Sequence, residues 1–501
     1  MDTPRPARHW TIMFICVICV AALASSVRAD SISWNAGNTG NYSDPANWDL
    51  SRAPIAGDDV AIAGTGSVAN YNLTSRHKPA SVTIGEGATL RRTMSSSADL
   101  RPSGNITNNG LFQEAGGGGQ FLLYSQTIDN GSTGIVEARG SNANLNLLST
   151  TINNDNIVRL ADGALLPARN TVVNGGTFDI DSSSSMEITQ QAQMSALTDV
   201  AVSNAGGVSI EQTGSPGERT TSLYLSGATS FNNETGATFS MNNTATTPDE
   251  QDDHAQTRIM DSAAFTNNGT ITLRNESSLD EGFTAVSHTM LEVTSTTASL
   301  TNNGNLSIVD ASAVATNEVW VSSVSNLSNS GDVTISGPQA RLEVVGANYE
   351  QSTGSTVLAD GASLIADTSN VSGGYLGGSG SVDGILNFAD SAVARMSITG
   401  TGAAEYDQLT VNGDVAYDGT LQAVFAQEDL GRGYTFDLFD VTGSVTGNFD
   451  SLVDPNGFYS PDELSFDPGT GELTVAPEPG VLAMLGIALL FLFGKRPRSK
   501  A

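Results

Sequence analysis

The chain has 501 residues, with 22 basic against 53 acidic side chains and a net charge of −31 at pH 7. Such a surface repels phosphate backbones and anionic headgroups, which excludes nucleic acid as a partner. With 39% hydrophobic residues, only 15% charged and 53 glycines, the chain reads as a folded, turn-rich all-β protein and not as a disordered acidic one.

At the front, Arg5 and Arg8 precede the apolar run Thr11 to Ala24, and Val27-Arg28-Ala29 offers small residues where a signal peptidase reads. This is the layout of a secretory signal over 1–29, cleaved by signal peptidase after Ala29. An uncleaved anchor is the competing reading, but a membrane span asks for ~20 apolar residues and this run is shorter. Both cysteines, Cys16 and Cys19, lie inside the run, and neither is preceded by a lipobox pattern. The mature chain is therefore expected to hold together by burial and backbone hydrogen bonding alone, without disulfides or thiolate-bound zinc.

Residues 30–72 read as an N-terminal cap. Trp34 and Trp48 bracket a Gly/Asn-rich turn, and Pro54 with Gly57-Asp58 leads into an apolar strand. Large aromatics suit the end of a stack, where the first repeat has no neighbour to cover its core. The alternative for the two tryptophans is carbohydrate stacking.

Residues 73–400 repeat a unit about 20 to 35 residues long. Its core is an apolar residue, Asn-Asn-Gly or a variant, then a short alternating strand. Examples are ITNNGLF (Ile106 to Phe112), INNDNIVRL (Ile152 to Leu160) and VVNGGTFDI (Val172 to Ile180). VSNAGGVSI (Val202 to Ile210), FNNETGATF (Phe231 to Phe239) and FTNNGTITL (Phe265 to Leu273) follow, then LTNNGNLSIV (Leu300 to Val309) and LSNSGDVTI (Leu327 to Ile335). Asn-Gly tolerates positive φ and turns tightly, and the β-branched alternation puts every second residue on one face. One such strand cannot bury its apolar face alone, but copies stacked about 4.8 Å apart can. The pattern predicts a right-handed parallel β-helix of roughly 11 to 15 rungs, a rod of about 50 to 70 Å, with asparagines stacked at a corner. Antiparallel hairpins in a sandwich or propeller are the competing architecture.

Residues 401–475 alternate cleanly between Gly turns, as in EYDQLTVNGDVAYDGTLQAVF (Glu405 to Phe425) and GYTFDLFDVTGSVTGNFDSL (Gly433 to Leu452). They read as a C-terminal β module closing the rod. Together the Trp-containing front, the repeats and this module resemble large bacterial surface proteins of the autotransporter-passenger type. The resemblance implies the rod and not self-translocation, because no segment here matches the terminal barrel of roughly 250 residues that such proteins carry.

No catalytic constellation stands out. His77, His254 and His288 lack metal-binding spacing and read as isolated surface histidines, and no H-E-x-x-H or G-x-S-x-G occurs. Arg159, Arg169, Arg258 and Arg274 are scattered, and no dense carboxylate cluster recurs at rung spacing. PDEQDDH (Pro248 to His254) is the densest acidic run and reads as a solvated loop, with weak Ca2+ binding the one cofactor left open. GGGG (Gly116 to Gly119) lacks the Lys-Ser/Thr of a phosphate loop and reads as a flexible turn. The expectation is a non-enzymatic structural or adhesive protein, with a β-helical polysaccharide lyase or glycoside hydrolase as the alternative.

The last segment, 476–501, is set apart. Pro477-Glu478-Pro479 imposes an extended stretch before the apolar run Val481 to Phe493, expected as a short hydrophobic helix. Lys495, Arg496, Arg498 and Lys500 then form a basic tail that acts as a membrane stop and stays inside. Thirteen apolar residues cross a membrane only with thinning or snorkelling, which suits transient anchoring. The order and position closely resemble the PEP-CTERM sorting signal, although Pro497 and Ser499 interrupt the basic run. The resemblance implies recognition by an exosortase, cleavage near Pro477, Glu478 and Pro479, and a bacterium with an exopolysaccharide or biofilm programme. The expected destination is the cell surface or extracellular matrix, with exopolysaccharide as the partner there.

Overall fold

The computed structural model describes residues 30–477, apart from 36, 117, 125–126, 141–142, 149, 163, 170, 190–192, 213–219, 245–252, 278–286, 313–316 and 429. Among these, 44 strands form one sheet, and every ladder between its named strands is parallel. The chain is a parallel β-helix. The short hydrophobic helix expected after Pro479 lies outside the described residues.

One coil shows how the sequence makes a rung. Ile106–Asn108 lies on a first face, Leu111–Glu114 on a second and Gln120–Tyr124 on a third. Short strands of alternating burial turn two corners and return beneath their starting point, because side chains two apart share a face. The next coil repeats the placement: Ile128 sits on Ile106, Val136 on Phe112, and Leu145 on Phe121. Inside the first face the column runs Val82, Ile106, Ile128, Ile152, Val173, Leu197, Leu225, Ile259 and Val293. Each is almost wholly buried, and burying one such side chain contributes roughly 1.5–3 kcal/mol. Aromatic rings reinforce the stack on the second face, where Phe231 lies on Phe265 with centroids 4.6 Å apart.

Asparagine does the comparable work at the corners. Asn108 donates Nδ2 to Asn130 Oδ1 at 2.6 Å, and Asn130 donates to Asn154 at 2.7 Å, all three buried. A second ladder runs Asn204, Asn233, Asn267, Asn302 and Asn329, each donating to the next at 2.7–2.8 Å. The two ladders occupy different corners. The first closes strands of the first face and the second closes strands of the second. The same sequence unit therefore changes corner between Val172 and Val202, with Gly175-Gly176 standing where the first ladder would continue.

The glycine that follows the asparagines has a different role from the expected positive φ. Gly304 and Gly331 are not among the left-handed residues. A Cβ on Gly304 would lie 2.1 Å from the Gly269 carbonyl, and one on Gly331 would lie 2.0 Å from that of Gly304. Close approach of consecutive coils, not turn geometry, demands the missing side chain.

The parallel ladders begin at Ser31–Ser33 and extend to Ser451–Val453, so coils run through the segments expected as cap and terminal module. At the front, Trp34 and Trp48 meet edge to face at 5.0 Å and are 3% and 1% exposed. Their indole N–H groups donate to the carbonyls of Asn38 and Tyr42. Neither ring offers an open face to a sugar, and both cover the first coil. At the back, Thr435–Asp437, Leu464–Asp467 and Glu472–Val475 form a small antiparallel sheet. Phe466 of that sheet packs against Tyr417, Phe439 and Phe449 at the last coils.

Asn267→Ala removes the bonds to Asn302 Oδ1 and Asn305 O and takes the acceptor from Asn233. Each buried group left without a partner costs about 1–3 kcal/mol. Asn268→Ala, one residue on and half-buried, loses bonds to Asn232 and Asn303 that water can replace on the outer surface, and is expected to cost about 1 kcal/mol. Denaturant unfolding of the two variants measures this contrast.

Candidate functional site

The segment expected as a sorting signal follows the last described strand, Glu472–Val475. Val475 N–H bonds to Tyr434 O at 3.0 Å, and Ala476 N–H bonds to Glu463 O at 2.8 Å. Glu463 is itself clasped. Its carboxylate accepts from Arg432 at 2.8 Å and from the Ser460 backbone and hydroxyl at 2.9 and 3.0 Å. Those contacts, Arg432 first, hold its pKa down to about 2. Pro477, the next residue, is exposed. The chain is therefore fastened up to the residue before Pro-Glu-Pro. Glu478, Pro479, Lys495, Arg496, Arg498, Lys500 and Ala29, the expected signal-cleavage residue, lie outside the described residues. Among the described residues no helix is long and apolar enough to cross a membrane.

The three histidines are not isolated surface residues. His77 is buried beneath the N-terminal aromatics, 3.1 Å from the Tyr42 hydroxyl. His254 and His288 are register partners on consecutive coils, and their rings stack with centroids 4.9 Å apart. Trp320, one coil further, meets His288 edge to face at 4.8 Å, and the Arg341 guanidinium lies over Trp320 at 4.7 Å. Glu318 joins this row, 3.6 Å from His288 and 3.2 Å from Arg341. The 34-residue spacing of the histidines in sequence conceals the pair, which equals one coil at that point of the rod. Their matching place, second residue of the first-face strands Asp253–Ile259 and Ser287–Val293, is the signal that would have revealed it.

Two of the scattered arginines, Arg159 and Arg258, link neighbouring coils, as does Arg139. Arg159 reaches Glu137 at 3.7 Å, Arg139 reaches Asp162 at 2.6 Å, and Arg258 reaches Glu292 at 2.9 Å. Arg274 pairs with Glu276 on its own strand end. One pair is internal: Arg92 and Glu114, both 0% exposed, meet at 2.6 Å. The glycine run expected as a free turn serves this pair. Gly119 O accepts from Arg92, and a Cβ on Gly119 would lie 2.5 Å from Arg92 Nη2.

Most of the acidic run, 248–252, lies outside the described residues, while His254 lies within a first-face strand. Among the described residues no group of three or more His, Cys, Asp or Glu is arranged to hold a metal ion. No protein-family model matches the chain, and no curated protein matches it.

Burial lowers the His77 pKa from 6.5 to about 4, against a smaller upward pull from Asp58. The unfolded chain takes up this proton near pH 6.5 while the folded end does not. Stability from this site is complete above that pH and is lost as pH falls toward 4. At about 1.4 kcal/mol per pH unit, the loss reaches ~3 kcal/mol. His77→Phe is expected to remove this part of the pH dependence, read as the difference between the two unfolding profiles from pH 6.5 to 4.

Proposed function

We propose that the chain is a secreted bacterial surface or extracellular-matrix protein, structural or adhesive in role and associated with exopolysaccharide. An exosortase processes it at its C-terminus after transient membrane anchoring. The observation that carries this reading is the order of the tail. Pro477-Glu478-Pro479, thirteen apolar residues and a basic end follow directly on a folded body.

Three features support it. The front of the chain reads as a cleavable export signal ending at Ala29. The apolar run is short for a lasting span, so a segment that is held, read and removed fits it better than a permanent anchor. The body between these two segments is a rod in which Arg139, Arg159 and Arg258 tie neighbouring coils together, which suits an extended scaffold. Such a rod displays many outward positions at about 4.8 Å intervals along its length.

Mass spectrometry of the protein recovered from the cell surface and medium tests the processing. The expected product begins at Asp30 and ends near Pro477, Glu478 or Pro479. A product extending beyond Phe493 would contradict exosortase processing and leave a plain anchor.

A further inference from the structure

Where the third face turns into the first, most late coils carry long connections, but three carry short ones. The chain passes this corner with Gly337-Pro338-Gln339, Asp360-Gly361 and Gly378-Ser379. The following connection, 399–408, is long again and forms a lower lip. Below Arg341 the outward positions of the first face are small: Ser363, Ser381 and Thr410 follow it in register. A trough results along the rod axis beneath Arg341, about 10 Å long at one strand spacing per coil.

The trough is two adjoining hollows. The larger, about 590 Å³, has Gly361, Gly380 and Ser381 as its floor and Asp360, Tyr406, Gln408 and Thr410 as its rim. The smaller, about 210 Å³, continues around the corner over Gly377 and Gly378, with Tyr375, Arg395 and Asp407 along it. The floor is closely packed on its neighbouring coils, since a Cβ on Gly377 would lie 1.8 Å from Arg395 O and one on Gly380 would lie 2.4 Å from Ala362 O. The polar groups are held in place. Asp407 accepts from Ser379 Oγ at 3.2 Å and Ser397 N–H at 2.7 Å, and the Gln408 amide donates to Asp437 at 2.8 Å. Tyr406 is fixed edge to face against Phe436 at 5.4 Å. Among the described residues Arg395 forms no ion pair, and its guanidinium lies over the Tyr375 ring at 5.0 Å.

We propose that this trough binds a stretch of a neutral, hydroxyl-rich saccharide chain lying along the rod. A shallow cleft with the Tyr406 ring on its wall suits the C–H face of a pyranose. Fixed carboxylates at Asp360 and Asp407 accept hydroxyl protons, and Gln408 and Arg395 supply amide and guanidinium groups for the sugar oxygens. Charge selects the neutral class. Two carboxylates face one guanidinium in the trough, and the whole chain carries −31, so a polyuronate is repelled. The choice of a glycan rests on the surface-matrix reading above, whereas the site itself stands on its geometry.

The test is calorimetric titration of the full-length chain with cello-, laminari- and manno-oligosaccharides, and with polygalacturonate as the anionic probe. Binding of at least one neutral oligosaccharide is expected, insensitive to salt and weakened about tenfold or more by Tyr406→Ala. Ser381→Gln, which plugs the floor from an outward position, is expected to abolish binding while leaving the melting temperature unchanged. Thr272→Gln, outward on the distant third face, is expected to bind like the parent chain. Silence towards every neutral probe, a preference for polygalacturonate, or binding that survives Ser381→Gln overturns the proposal. Because binding is measured on the unprocessed chain, a failure of C-terminal cleavage leaves this result untouched.

Discussion

Everything in this molecule depends on register between consecutive coils. A strand of four residues buries little by itself, and a parallel pair is weaker per residue than an antiparallel one. The rod is stable because each strand has a neighbour below and above, so apolar columns and backbone ladders extend together. The buried asparagines make that register specific. Asn233, Asn267 and Asn302 each donate a hydrogen bond from Nδ2 to the Asn Oδ1 of the next coil, and a slip of one residue would leave every one of them unsatisfied. The ends need aromatic covers for the same reason: Trp34 and Trp48 at the front, Phe439, Phe449 and Phe466 at the back.

Register also governs the surface. Side chains distant in sequence become neighbours one coil apart, as with His254 and His288 or Arg258 and Glu292. Corners with long connections project, and corners with short ones leave a recess. The trough at Asp360, Gly378 and Ser381 is a product of connection length, not of any local motif. A charge pair also lies in the interior among the described residues. Arg92 and Glu114 are fully enclosed, where their mutual attraction offsets a large desolvation cost and either one alone would be strongly destabilising.

Much of this was legible before the fold was known. The repeated apolar–Asn–Asn–Gly units announced parallel coils, and Trp34 and Trp48 announced a covered end. Three things were hidden. The unit moves from one corner to the next between Val172 and Val202, because alternation reports which side chains point inward and not which corner they precede. The glycines at 304 and 331 looked like turn residues but are required by the carbonyl of the coil below, a contact across 35 and 27 residues in the neighbouring asparagine ladder. The histidine pair and the trough were invisible because insertions stretch the period unevenly, so no fixed spacing links their members. The two end segments are the reverse case: their composition and order stand out in the sequence, while their residues lie outside the described ones.

The parallel register itself admits a direct test. Thr266 and Thr301 point outward on adjacent coils of the second face and are register partners, while Ser328 follows in the same column one coil later. Adjacent strands lie about 4.8 Å apart, inside the Cα separation of roughly 4.4–6.8 Å that a disulfide spans. Thr266→Cys combined with Thr301→Cys is expected to cross-link on mild oxidation, and Thr266→Cys with Ser328→Cys is expected to stay reduced. An adjacent pair that does not link, or a skipped pair that links equally well, would contradict the stacked-coil account.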